Sequence, residues 1–125
     1  MSTTYHDGLV KVVNNSGTTL PYFTLAHSNG DYTETASWTD MPPGDAGDFA
    51  FQFSTGLFSP SDYWCATFSQ DDLQLWSGSF IVDFGNDDKY LTGQITINND
   101  SSVTVSPPSS SSGTVLAENI VRYGL

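Results

Sequence analysis

The sequence predicts an all-β protein, specifically a single antiparallel β-sandwich of about eight or nine short strands. Apolar and polar residues alternate with a period of two, most clearly over residues 48–53, where three phenylalanines share one face. Clusters of Asn, Asp, Ser, Gly and Pro separate the alternating segments at intervals of roughly ten residues. Helix-forming residues are scarce, since only Glu34 and Glu118 among the 14 acidic residues are glutamates.

A hairpin is predicted near the start of the chain. Residues 9–14 should form a strand, because valines alternate with Lys11. The Asn-Asn-Ser-Gly sequence that follows is a strong turn signal and predicts a return strand over residues 18–27. Pro21 lacks a backbone donor, so this second strand should lie at a sheet edge or contain a bulge. Further strands are predicted over residues 34–39, 63–69, 73–76, 79–84, 90–98 and 102–106.

The domain organisation follows from the composition along the chain. We expect residues 1–8 to be a flexible N-terminus and residues 9–106 to be the sandwich domain. Residues 107–113 have the Ser/Pro composition of a linker. Residues 114–125 turn apolar again, and their periodicity fits a last strand, a short helix, or a docking segment for another chain.

The charge of the chain excludes one class of function. With 14 acidic residues against three Lys plus Arg, the formal net charge is −11, so the chain cannot build a phosphate-neutralising surface for nucleic acid. No apolar stretch approaches the roughly 18 residues of a transmembrane segment. No signal peptide is visible, so we expect a protein that is cytoplasmic or exported by another route.

Nothing in the sequence assembles into a catalytic site, and we expect a protein that is not an enzyme. His6 and His27 are the only histidines, and neither belongs to a recognisable triad. Cys65 lies in a predicted strand and is expected to be a small core residue. The aspartates could supply the carboxylate pair of a glycosidase, but the sequence gives no means of choosing one.

Acidic clusters in predicted turns raise the question of a metal. Asn86, Asp87 and Asp88 could offer the oxygen ligands that calcium prefers, and this is the preferred place for a calcium site. Ordinary turn formation explains the same residues equally well. We therefore expect no obligatory cofactor.

Aromatic residues are the most informative candidates for binding. The phenylalanines alternate as core residues should, whereas tryptophans and tyrosines stand beside polar or loop residues. Such rings combine an apolar body with a polar tip, which suits sugar stacking and lipid interfaces. The alternative is that each ring only covers the edge of the core. The predicted ligand-binding residues are Trp38, Tyr32, Trp64, Trp76 and Tyr22.

Two segments of the chain resemble the aegerolysins, which are small acidic lipid-binding β-sandwich proteins. Residues 10–20 read Val-Lys-Val-Val-Asn-Asn-Ser-Gly-Thr-Thr-Leu, like the family's opening strand and turn. Residues 42–49 are similar to its proline-glycine approach to a later strand. The resemblance implies an actinoporin-like sandwich that recognises sphingolipid-containing membranes through aromatic residues, sometimes with a larger partner protein. The family's Cys-Pro-Trp stretch is absent from this chain, so no lipid-contacting position is carried over.

Together these observations predict a non-enzymatic recognition protein. Its loop and edge aromatics would bind a membrane lipid headgroup or a glycan. The alternative is a structural or assembly subunit, in which residues 114–125 and the aromatics form interfaces in a homo-oligomer or with a partner protein.

Overall fold

Ten strands form a β-sandwich in the computed structural model, which describes residues 3–71 and 74–122. The predicted all-β sandwich is confirmed. A short 3-10 turn at Asn86–Asp88 interrupts the loop after the sixth strand. The strands are β1 (Thr4–Asn15), β2 (Leu20–Asn29), β3 (Tyr32–Met41), β4 (Ala46–Thr55), β5 (Tyr63–Asp71), β6 (Gln74–Ile81), β7 (Thr92–Asn98), β8 (Ser102–Ser106), β9 (Gly113–Leu116) and β10 (Glu118–Arg122).

The strands form two five-stranded sheets. The first sheet has the order β4-β1-β7-β8-β9, and the second has the order β10-β6-β5-β2-β3. Neighbouring strands pair antiparallel, except that β1 and β7 run parallel. In the described part of the chain, no helix is long and apolar enough to cross a membrane.

The core lies between the sheets and is rich in aromatic rings. The three phenylalanines of β4 face inward as the alternation predicts, and Phe51 meets both Trp64 and Phe84 edge-on at 5.0 Å between ring centroids. Burying each such side chain contributes about 1.5–3 kcal/mol on apolar area. Valine, leucine and isoleucine residues from both sheets complete the core.

The N-terminal segment is more ordered than the sequence predicts. Strand β1 begins at Thr4, and its first residues pair with the end of β4, with Thr4 opposite Thr55. Residues 4–8 are therefore strand rather than a flexible terminus. Their apolar alternation is broken at Gly8, where the absence of a side chain leaves room for the ring of Phe51.

A further difference concerns β2. Pro21 does not mark an edge or a bulge, because β2 lies between β5 and β3. The missing donor is tolerated because pairing with β5 starts only at Tyr22, opposite Ser69. Trp38 lies within strand β3, in agreement with the strand predicted over residues 34–39.

The C-terminal segment joins both sheets. Strand β9 pairs with β8, the chain crosses between the sheets at the buried Ala117, and β10 pairs with β6. Three structures were open for the tail: a strand, a short helix or a docking segment. The structure shows two strands, β9 and β10. Residues 123–125, and residue 73 of the predicted strand 73–76, lie outside the described residues.

The topology gives the sandwich two different ends. One end carries short turns and is called the turn end here; it consists of residues 16–19, 42–45 and 99–101. The opposite end carries longer loops and is called the loop end; it consists of residues 30–31, 56–62, 82–91 and 107–112, with the strand residues that adjoin them.

Candidate functional site

Exposed apolar side chains concentrate at the loop end. Strand pairing alone places the ends of β2, β4, β6 and β8 there, together with the beginnings of β3, β5 and β7. Of the large apolar side chains that are exposed among the described residues, only Leu9, Tyr22 and Leu116 lie elsewhere. The exposed large apolar side chains of the loop end are Tyr32, Leu57, Phe58, Tyr63, Ile81, Tyr90 and Leu91.

Two loops each present an apolar pair at the tip. Leu57 and Phe58 follow β4, and Tyr90 and Leu91 precede β7. Phe58 is 86% exposed and Tyr90 is 95% exposed. Both aromatic residues have left-handed backbones, with φ of 64° and 65°. A bulky residue in that region carries conformational strain, of the order of 1 kcal/mol or more, so folding energy alone would favour Gly or Asn here.

A buried carboxylate ties the second of these loops to the Ser/Pro segment. Asp88 is buried and accepts backbone hydrogen bonds from Gly85 and Ser109, each at 2.7 Å, and from Ser110 at 3.2 Å. The Ser110 hydroxyl also donates to it. Residues 107–112 are thus fastened to the domain, unlike a free linker.

These contacts bear on the calcium prediction. Donors already occupy both carboxylate oxygens of Asp88, while Asn86 and Asp87 point to solvent. A calcium ion at Asn86–Asp88 would have to displace N–H groups from the aspartate. Within the described residues, no group of three or more His, Cys, Asp or Glu side chains could hold a metal ion.

A buried triad of one histidine and two carboxyl groups lies beneath the loop end. His27 is 1% exposed, and its ring stands between Glu34 and Asp62. Its Nδ1 lies 2.7 Å from Glu34 Oε1, and its Nε2 lies 2.7 Å from Asp62 Oδ1. Each ring nitrogen is therefore within hydrogen-bond distance of a carboxyl oxygen.

The remaining bonds of the triad join the two sheets to the loops. Glu34 of β3 accepts the backbone N–H of Gln52 on β4 at 2.7 Å, which links the second sheet to the first. Asp62 accepts from Asn29 Nδ2 and from the backbone N–H of Phe84, each at 2.8 Å. Because every carboxyl oxygen of Glu34 and Asp62 has a nitrogen partner, the triad is a structural network that holds the loops in place.

The two histidines have different surroundings. Both nitrogens of His27 are occupied and the ring is sealed between Trp64 and Phe51. His6 lies on β1, with its Nε2 2.8 Å from the Thr55 hydroxyl.

The structure separates the five predicted ligand-binding residues. Trp64 is 1% exposed and donates its indole N–H to the carbonyl of Val82 at 3.0 Å, so it is a core residue and not the exposed ring that the prediction requires. Its neighbours along the chain are polar because β5 exposes its other face. Trp38 and Trp76 are half-buried and pack against the core from the side.

The two predicted tyrosines are exposed but lie far apart. Tyr32 is at the loop end, where its ring contacts that of Tyr5 with 4.7 Å between centroids. Tyr22 lies on the outer face of the second sheet, towards the turn end.

The residues at the loop tips are not among the predicted ligand-binding residues. Leu57 and Phe58 stand between Gly56 and the Ser-Pro sequence that follows, so an apolar pair enclosed by turn formers was the available signal. Tyr90 and Leu91 were hidden because they read as the start of a strand over residues 90–98.

The outer face of the second sheet contains a groove beside the loop end. It has a volume of about 720 Å³. Tyr63 and Ile81, which pair across β5 and β6, form one wall, and Thr33 of β3 lies on the other side. Small side chains of three strands form the floor, and they are Ala26, Ser28, Cys65 and Ser79.

The charges around the loop end are predominantly negative. Asp31, Asp83 and Asp87 are exposed there. Lys89 is the cation of these loops, and its amino group lies 5.9 Å from the centroid of the Tyr90 ring. This surface therefore opposes docking on an anionic partner.

Comparison with protein-family models found no match, and comparison with curated proteins found no relative.

Proposed function

We propose that this protein binds the surface of a zwitterionic lipid bilayer through its loop end. Leu57 and Phe58 from one loop, and Tyr90 and Leu91 from another, enter the interface between headgroups and acyl chains. The observation that carries the proposal is the pair of loop tips, each holding an exposed apolar dipeptide on strained backbone. Strain that folding does not require is typical of functional positions.

The expected energy of this contact suits reversible binding. Removing one large apolar side chain from water contributes about 1.5–3 kcal/mol, so four such side chains supply several kcal/mol before entropic losses. The loops are already fastened by Asp62 and Asp88, which lowers the entropy lost on binding. This supports a preformed surface.

The charge of the protein limits the kind of membrane to which it can bind. The net charge of −11 and the exposed aspartates of the loop end disfavour anionic lipids. A neutral or zwitterionic surface imposes no such repulsion. The resemblance to aegerolysins, which implies lipid recognition, points in the same direction.

The assembly alternative has less support. It relies on a tail that is free to add to another subunit, but residues 113–116 and 118–122 pair with strands of their own chain. Glycan recognition without a membrane would leave the aliphatic Leu57 and Leu91 without a role, because sugar stacking uses aromatic rings.

The test is sedimentation with phosphatidylcholine vesicles, using a Phe58→Asn/Tyr90→Asn double variant. Asparagine tolerates the left-handed region better than aromatic residues do, so the variant should keep or slightly raise its melting temperature. We expect the wild type to co-sediment with vesicles and the double variant to bind at least about tenfold more weakly.

Leu116→Ser is the matched control, because Leu116 is an exposed apolar residue away from the loop end. We expect it to bind vesicles like the wild type. A wild type that stays in the supernatant, or a double variant that binds as well as the wild type, contradicts the proposal.

A further inference from the structure

The groove on the outer face of the second sheet is neutral, although the chain is strongly acidic. None of the side chains that line it is Asp, Glu, Lys or Arg. His27 also lines the groove, but its imidazole ring faces the core. There, both ring nitrogens have hydrogen-bond partners. A phosphate would find no cation here and an ammonium group no carboxylate, so the groove suits an uncharged ligand.

The shape of the groove comes from the sizes of neighbouring side chains. The register aligns Ala26 with Cys65 and Cys65 with Ser79, so small residues lie side by side across three strands. Two residues nearer the loop end, Tyr63 is opposite Ile81, and both are more than half exposed. A flat ring can therefore rest on small side chains against an aromatic wall.

Unpartnered hydroxyl groups point to the chemistry of the ligand. Towards the turn end of this face, hydroxyls bond to one another, as Thr24 does to Ser37 at 2.9 Å and Thr67 to Ser77 at 3.2 Å. In the groove, by contrast, the hydroxyls of Ser28, Thr33 and Ser79 bond to no other group of the described residues. The groove therefore offers free hydroxyl groups, which can both donate and accept hydrogen bonds.

We propose that this groove binds the uncharged hexose ring of a glycolipid at the membrane surface. The apolar face of the sugar stacks on Tyr63, and its hydroxyls bond to Ser28, Thr33 and Ser79. This assignment rests on the proposed membrane binding, because Tyr63 and Ile81 adjoin the loops that carry the insertion tips. A headgroup that stands above the bilayer can then enter the groove from the side.

The experiment compares phosphatidylcholine vesicles with and without a neutral monohexosyl lipid. The variants are Tyr63→Ala, which removes the aromatic wall, and Ser79→Leu, which fills the floor. Tyr22→Ala is the matched control, because Tyr22 is an exposed tyrosine on the same face outside the groove. Melting temperatures check that each variant is folded.

We expect the glycolipid to tighten wild-type binding by about tenfold. Tyr63→Ala and Ser79→Leu should lose that increment while keeping the binding to phosphatidylcholine alone, and Tyr22→Ala should retain both. Phe58→Asn/Tyr90→Asn should weaken binding to both kinds of vesicle.

The outcomes separate this inference from the proposed function. Wild-type binding to phosphatidylcholine with no glycolipid increment, or an increment that Tyr63→Ala retains, overturns the sugar site and leaves the membrane proposal intact. Absence of binding to either vesicle overturns both. An equal increment with an anionic lipid contradicts the argument from neutrality.

Discussion

The two ends of the sandwich are built alike but expose different chemistry. At the turn end, the buried Asn14 closes two connections by donating to the carbonyls of Thr18 at 2.9 Å and Met41 at 2.8 Å. At the loop end, Asp62 and Asp88 fasten loops in the same way. The turns of the turn end carry no large exposed apolar side chain, whereas the loops of the loop end do. The proposed function therefore rests on what the loops expose and not on how they are held.

The largest effect is expected from the buried triad. His27→Ala removes the ring that stands between Glu34 and Asp62 and leaves both carboxyl groups without that partner. Leaving a buried polar group without its partner costs about 1–3 kcal/mol, and here two groups are affected. We expect a loss of that size in the free energy of unfolding, measured by urea denaturation. His6→Ala, which loses one partly buried hydrogen bond, should cost much less; equal losses would show that the triad has no special role.

A second variant tests the turn end alone. Asn14→Ala removes the donor to the carbonyls of Thr18 and Met41 and the acceptor of the Ser16 hydroxyl, at a cost of about 1–3 kcal/mol. We expect lower stability in urea with unchanged vesicle binding under conditions where the protein stays folded. Loss of vesicle binding in the folded variant would mean that the two ends are coupled. That result would contradict the expectation that the turn end takes no part in binding.

The next prediction concerns the loop clamp. Asp88→Ala frees residues 82–91 from residues 107–112 and should lower stability by about 1–3 kcal/mol while weakening vesicle binding several-fold. Asp87→Ala is the control, because Asp87 is the exposed neighbour of Asp88. It should change neither the stability nor the vesicle binding.

Calcium is tested with the same variants. Because N–H donors fill the oxygens of Asp88, we expect calcium chloride to leave the melting temperature of the wild type unchanged. A rise that Asp87→Ala abolishes would instead support the calcium site predicted at Asn86–Asp88.

Among the variants that change stability, the smallest effect is expected at the turn after β7. The Ser102 hydroxyl and its backbone N–H both donate to Asp100, and these bonds lower the pKa of the exposed carboxyl. A lowered folded-state pKa contributes stability above the ordinary pKa of an aspartate, and that contribution is lost as the pH falls through the folded value. We expect Asp100→Ala to lower the melting temperature slightly near neutral pH. The difference should vanish at strongly acidic pH, and a difference that grows on acidification would contradict this account.

Local sequence patterns were sufficient for the class of fold. The alternation around Phe49, Phe51 and Phe53 predicts a strand with one buried face, and the turn-forming residues predict the connections between strands. The number of strands was underestimated because β9 and β10 divide an apolar segment whose period fits more than one structure.

The candidate site was less accessible to sequence reasoning, because it depends on distant parts of the chain. His27 and Asp62 are 35 residues apart, and no local pattern pairs them. Trp64 alternates with polar residues whether its ring faces solvent or the core, so its neighbours could not place it. The exposure of Phe58 follows from loop geometry, which the pattern of apolar residues does not encode.

Hydrogen exchange in the presence and absence of phosphatidylcholine vesicles tests the central claim most directly, because one measurement reads both ends of the molecule. If the loop end is the binding surface, vesicles will slow exchange in residues 56–62 and 82–91 and leave residues 42–45 and 99–101 unchanged. Slower exchange at the turn end, or no change at either end, would contradict the account.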